Sequence, residues 1–221
     1  MKLMGFVYNS IEYKETSKIV YLYTIQGHVS VKAIGANKPK SQTFGFGQTG
    51  NIVSFVASDT PFLELEEYST VKSLYKLTES IEGIKAINVL VNIIKLIPSD
   101  SNHERIFALI EKTVADMLSG HITKALDIFL IKLTYVFGIK PTLKECVNCR
   151  SKEFLKFFDE RKGGALCINC MNVGNPEILS IFKEYYYDKK DIEKYSTTNF
   201  DILNKVIKEY YLYNADIKLN L

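Results

Sequence analysis

The chain reads as an α+β protein, a small β-barrel followed by a helical lobe that a cysteine-bearing insert interrupts. Three observations predict this. Up to about Thr70 the apolar residues fall in short β-branched and aromatic runs, whereas after Thr78 they recur at helical spacing. All four cysteines then lie between positions 146 and 170, as two C-x-x-C pairs.

The first region supplies about five strands. Lys18–Thr24, Val29–Ile34, Ile52–Ala57 and Phe62–Glu66 are β-branched, aromatic or alternating, and a further strand begins near Met4. Gly27-His28, Gly35-Ala36-Asn37, Gly45-Phe46-Gly47 with Gly50, and Ser58-Asp59-Thr60-Pro61 punctuate them. Closing such a sheet removes its exposed edges, which favours a barrel with an irregular loop at about 37–50.

The second region, with a domain boundary expected between 78 and 79, is helical. Ile81, Ile84, Ile87, Leu90, Val91, Ile94 and Ile97 form one stripe, ended by Pro98. Ser101-Asn-His-Glu104 has the form of a capping box, opening a helix that buries Phe107, Ile110, Val114, Met117 and Leu118. A third helix presents Ile122, Leu126, Phe129, Leu130, Leu133 and Phe137 before Gly138. After the insert, at about 142–175, helices are expected from Glu177 and after Ser196-Thr-Thr-Asn199.

Composition narrows the functional classes. Of 221 residues, 47% are hydrophobic and 24% charged, which excludes a largely disordered chain. A net charge of +3, from 28 basic and 25 acidic side chains, is too balanced to announce a polyanion partner, but its distribution is uneven. Residues 1–50 carry six lysines against two glutamates, and residues 51–80 two lysines against five acids. No secretory signal is read at the start, so a cytoplasmic location is expected. The apolar run from Ala86 to Ile97 is broken by Asn88, Asn92 and Lys95 and falls short of the ~18 residues of a membrane span.

Cys146-Val-Asn-Cys149 and Cys167-Ile-Asn-Cys170 are separated by seventeen residues, a zinc-ribbon spacing. Each pair lets a tight turn aim two sulfurs at one point, and four thiolates leave no open position, so the expected zinc is structural. Gly163-Gly164 suits a hairpin turn, and Phe154, Leu155, Phe157, Phe158 and Leu166 are expected to pack around the site. A cytoplasmic setting disfavours disulfides, and neither pair opens a helix after a strand as a redox motif does.

In the first region Lys14, Lys18, Lys32, Lys38 and Lys40 alternate with aromatic residues. Lysines that neutralise phosphates, next to rings that stack on bases, suit single-stranded nucleic acid. Phe44 and Phe46, in a glycine-flanked loop, are expected to be exposed. Tyr21 and Tyr23 share a face that is either inside the barrel or outside it. No nucleophile–base pair, phosphate loop or dinucleotide fingerprint is present, and His28, His103 and His121 are read as exposed, so no enzyme and no small-molecule substrate are expected.

Two stretches carry a family resemblance. Tyr13-Lys-Glu-Thr-Ser-Lys-Ile-Val-Tyr-Leu-Tyr-Thr24 with Gly27 and Ile34-Gly-Ala-Asn-Lys-Pro-Lys-Ser41 resembles the opening of the RecO family. Phe137-Gly-Ile-Lys-Pro141 leading into Cys146, and Gly163-Gly-Ala-Leu-Cys-Ile-Asn-Cys170, are similar to its central segment. The resemblance implies that the barrel is an oligonucleotide-binding (OB) fold, and that the protein binds single- and double-stranded DNA and anneals complementary strands. It also implies action with RecR to load RecA on DNA coated by single-strand-binding protein, whose C-terminal tail docks on the helical lobe. Lys124 and Lys132 on the third helix are candidates to receive that tail's carboxylates. A cytoplasmic, nucleoid-associated protein follows, the alternative being a zinc-containing protein–protein adaptor without direct DNA contact.

Overall fold

The β-branched runs pair as β1 (Lys2–Tyr13), β2 (Ser17–Thr24), β3 (Gly27–Ala33), β4 (Asn51–Ser58) and β5 (Glu64–Ser73), closed into a barrel in the order β1-β2-β3-β5-β4. The computed structural model describes residues 1–58, 62–171 and 175–221. The turn expected through Asp59-Thr60-Pro61 and the insert's residues 172–174 lie outside the described residues.

β1 is long because it serves two neighbours. Its first half, Lys2–Phe6, pairs with β4, and a register shift between Val7 and Asn9 bends it so that it pairs with β2 out to Tyr13. Closure is narrower on the other side. β3 and β5 run parallel and meet at Lys32 and Glu64, where the Lys32 amide donates to the Leu63 carbonyl (2.8 Å) and its ammonium reaches Glu64 (3.1 Å).

Strand alternation sends Leu3, Val7, Val20, Leu22, Val31, Val53 and Phe55 into the barrel. Tyr21 and Tyr23 therefore point outward from β2. Tyr23 is nonetheless fully buried, because His103 at the start of a helix covers it, with Tyr23 Oη and His103 Nδ1 2.8 Å apart. His28 is likewise no free surface group: its ring lies between Tyr8 Oη (3.1 Å) and the Ile97 carbonyl (3.0 Å). Both histidines tie helix to barrel rather than facing water.

Those helices are α1 (Ile81–Lys95) and α2 (His103–Leu118), and with the barrel they make one compact unit, Met1–Ser119. Ser80 caps α1 by accepting from the Gly83 amide (3.0 Å). Gly83 is obligatory, since a Cβ there would stand 2.0 Å from the Leu77 carbonyl oxygen of the preceding 3-10 turn. The stripe is buried from Ile87 onward, but Ile81 is 77% exposed and Ile84 is also exposed, because these positions precede the packed stretch. Leu118 is exposed too. The cap of α2 is Asn102, whose side chain accepts from the Arg105 amide (3.1 Å), rather than Ser101, whose own amide is engaged by Pro98 in a turn.

The second unit, Gly120–Leu221, holds α3 (Ile122–Leu133), the hairpin β6 (Leu155–Asp159) and β7 (Gly164–Cys167), α4 (Pro176–Tyr187) and α5 (Phe200–Ala215). Asn175 and Asn199 cap α4 and α5. Tyr211 of α5 donates to the Leu130 carbonyl of α3 (2.7 Å). Phe158 of β6 stacks on Phe182 of α4 at 4.1 Å and stands 5.8 Å from Tyr210 of α5, which anchors the hairpin to the helices. Among the described residues no helix is long and apolar enough to cross a membrane.

Candidate functional site

The four cysteines converge because three backbone segments run side by side. The β6–β7 register sets Leu155 opposite Cys167, and the stretch before Cys149 lies along β7. The Thr142 amide donates to the Gly163 carbonyl (3.0 Å), the Ala165 amide to Thr142 (2.7 Å) and the Val147 amide to Ala165 (2.9 Å). Gly163 takes the positive φ of 77° expected of a hairpin turn. Gly164 serves closeness instead: a Cβ would lie 2.4 Å from the Thr142 carbonyl oxygen.

Each cysteine pair sits in a tight turn. The Arg150 amide donates to the Cys146 carbonyl (2.9 Å) with Arg150 at φ 63°, and the Cys170 and Met171 amides donate to the Cys167 carbonyl (3.0 and 3.1 Å). The four sulfurs lie within 4.8 Å of one another, with Cys149 and Cys167 3.6 Å apart, and none is in a disulfide. Thiolates at ~2.3 Å around one tetrahedral ion stand about 3.8 Å apart, so the cluster fits such an ion and supplies all four ligands. Burial raises Cys146, but amides of Cys149, Cys167 and Asn148 outweigh it and bring the thiol down to about 6. Hydrogen bonding to the Cys149 sulfur, with burial and the other two sulfurs, pushes Cys170 up to about 12. Without a cation four adjacent sulfurs resist joint ionisation; a dication removes that conflict. Around the cluster Cys146, Phe157, Leu166 and Cys167 form the ribbon's small core. Phe154, expected to pack there, is 68% exposed.

The lysines expected to contact DNA divide into two groups. Lys14 occupies the β1–β2 turn at φ 55°, its ammonium 5.5 Å from the centroid of the exposed Tyr13 ring, and Lys18 opens β2 opposite Ala33 at the end of β3. The following loop folds back on that turn, as Asn37 donates through its amide to the Thr16 carbonyl (3.1 Å) and through its side chain to Ser17 (3.4 Å). Exposed Lys38 and Lys40 thereby join Lys14 and Lys18 at one end of the barrel, where Glu12 and Glu15 are the acidic neighbours. Lys32 stands apart, half-buried and paired with Glu64.

Phe44 is 50% exposed, its carbonyl accepting from Tyr68 (2.5 Å). Phe46 corrects the expectation of exposure: it is 0% exposed and plugs the barrel against Phe55 and Tyr68, at 5.8 and 5.1 Å between centroids. The loop is short of core elsewhere, so one of its two rings is drawn inward. Tyr13 is a residue that sequence reasoning misses; its place next to Lys14 is the available signal.

Lys124 is not the surface cation expected. It is 8% exposed and donates to the carbonyls of Tyr195 (2.7 Å) and Ile192 (3.4 Å), because burying an ammonium requires acceptors. Lys132 is half-buried and donates to the Asp188 carbonyl (2.6 Å). Both brace the segment joining α4 to α5. There Lys190 bridges Glu184 (2.5 Å) and Asp188 (3.2 Å), so the charge cluster at 188–191 is partly paired rather than simply solvated.

Two family models match the chain: Recombination protein O N terminal over residues 1–76, and Recombination protein O C terminal over residues 86–179. Among curated proteins, the chain is 24% identical to a DNA repair protein RecO of Halalkalibacterium halodurans, over 95% of this chain and 88% of that one. It is 26% identical to one from Alkaliphilus metalliredigens, over 98% and 94% of the two chains. A Bacillus mycoides protein of the same description is 28% identical over 75% of this chain and 68% of its own.

Proposed function

The chain belongs to the RecO family of DNA repair proteins, and we propose that it is a non-enzymatic recombination mediator that binds single- and double-stranded DNA and anneals complementary strands. It acts with RecR to load RecA onto DNA coated by single-strand-binding protein, whose tail docks on the helical unit. A structural zinc held by Cys146, Cys149, Cys167 and Cys170 keeps the ribbon folded and takes no part in a reaction.

The observation that carries the reading is the gathering of Lys14, Lys18, Lys38 and Lys40, with the exposed Tyr13 ring next to Lys14, on a closed barrel of OB strand order; Phe44, exposed in the loop that also carries Lys38 and Lys40, offers a further ring. Ammonium groups displace counterions from phosphates, and a ring beside them accepts a base without reading its identity. Neutralising two strands on one surface also lowers their mutual repulsion, which is what annealing needs.

The test is Lys38→Glu combined with Lys40→Glu, measured by fluorescence anisotropy with a labelled single strand and by annealing of complementary strands. Reversing two of four cations is expected to weaken binding by about tenfold or more at low salt and to slow annealing in parallel. Unchanged affinity and annealing overturn this DNA surface and favour the adaptor.

A further inference from the structure

A second basic site lies on the zinc-ribbon side of the chain. Between β6 and α4 runs a cleft of about 200 Å³ lined by Leu155, Lys156, Pro176, Leu179, Ser180 and Lys183. Its two charged residues are both cationic. Among the described residues neither lysine makes an ion pair, although the unit contains several such pairs. Glu153 and Glu177 are exposed nearby in sequence, but neither lines the cleft. Ser180 donates its hydroxyl to the Glu177 carbonyl (2.7 Å), leaving its oxygen lone pairs and the two ammonium groups to set the local polarity.

The volume limits the ligand. Sites that enclose a whole small molecule occupy about 300–1,000 Å³, so this cleft suits one charged group of a larger molecule. The floor, Leu155, Pro176 and Leu179, is apolar and strengthens the field of the two cations.

Next to Leu155 stands Phe154, 68% exposed, with a φ of 54° that a side chain rarely adopts. Its carbonyl accepts from the Ile168 amide (3.1 Å), so the chain is held in that conformation across the hairpin. An exposed ring on a held backbone, one residue from a dicationic cleft, combines the two elements that hold single strands: a phosphate seat and a stacking platform.

We propose that Lys156 and Lys183 seat a backbone phosphate of single-stranded nucleic acid while Phe154 stacks on an adjoining base, giving the ribbon side its own strand contact. The site shares with the proposed function only the class of ligand, and none of its residues. It gives the chain a second place to hold a strand.

Four full-length proteins decide the matter by anisotropy with a labelled oligothymidylate across salt concentrations: wild type, Lys156→Glu with Lys183→Glu, Phe154→Ala, and Lys38→Glu with Lys40→Glu. The ribbon lysine pair is expected to cost about tenfold in affinity and to flatten the slope of log affinity against log salt by about 0.7, the value for one phosphate no longer neutralised. Phe154→Ala is expected to cost about five- to tenfold with the slope unchanged, as for loss of stacking. Lys156→Gln with Lys183→Gln, checked for intact thiol titration after metal release, gives the same ordering if the glutamates disturb folding. Wild-type binding by both ribbon lysine pairs, with loss in the barrel variant, overturns this site and leaves the proposed function standing. Wild-type binding by all variants overturns both. Displacement of the strand by polyglutamate with no effect of the ribbon lysine substitutions also counts against the site.

Discussion

Lys124 and Asp127, one turn apart on α3, show how burial decides what a charged side chain does. Lys124 finds carbonyls. Asp127 is fully buried, and neither carboxylate oxygen has a hydrogen-bond partner among the described residues. Burial pushes its carboxyl well above the usual carboxylate range. The folded chain thus keeps a proton that the unfolded chain releases above about 3.8. Its contribution to stability is full below that pH and is lost as pH rises through the folded value. Asp127→Asn is expected to remove this slope, so that urea midpoints of variant and wild type diverge as pH rises from about 4 to about 8, with the variant the more stable at the upper end. A constant gap across that range refutes the neutral carboxyl. Such positions are hard to read from sequence, because burial depends on α4 and α5, which begin about fifty and about seventy residues further along the chain. The cysteines were legible for the opposite reason: their chemistry depends on a spacing within 25 residues. Phe44 and Phe46, two apart in one loop, looked alike, and only the barrel interior distinguishes them.

The ribbon shows what an element built on four converging thiols would owe to a metal. Its core is Cys146, Phe157, Leu166 and Cys167, two of them ligands, too little apolar surface to hold a hairpin alone. Structural zinc supplies about 10–16 kcal/mol in small zinc-finger peptides, far more than one buried ring and one leucine side chain. A strong chelator is therefore expected to make all four thiols reactive and to speed amide exchange at Val147, Ala165 and Ile168, while barrel amides such as Val31 keep their protection. Equal protection with and without chelator removes the metal's structural role. Most elements were readable because each carries its own period, and Asn199 lies directly before the last helix, which it caps. Helix α1 marks the limit: its stripe continues through Ile81 and Ile84, but periodicity does not say where the packing partner ends. The Asn102 cap was missed because a Ser-x-x-Glu pattern beside it fitted the same rule.

Taken whole, the chain is nearly neutral, with 28 basic against 25 acidic residues, so attraction to a polyanion comes from where the cations gather. Four lysines at the barrel end imply a log affinity against log salt slope of about −3 for a single strand, at about 0.7 for each phosphate, with a steeper value if the ribbon side contributes. A slope near zero in the intact protein excludes electrostatic capture. The change from strand to helix after residue 78 was visible in the sequence, whereas the compact units divide at 119/120, a property of long-range packing that no local pattern encodes. Lys32 joins these levels. It is counted among the basic residues of the first region, yet it is the clasp of the barrel's narrowest seam, through its amide to Leu63 and its ammonium to Glu64. A phosphate sharing that ammonium would draw charge away from Glu64, so a strand lying across β3 would leave the seam to lean more on the Lys32 amide and its bond to Leu63.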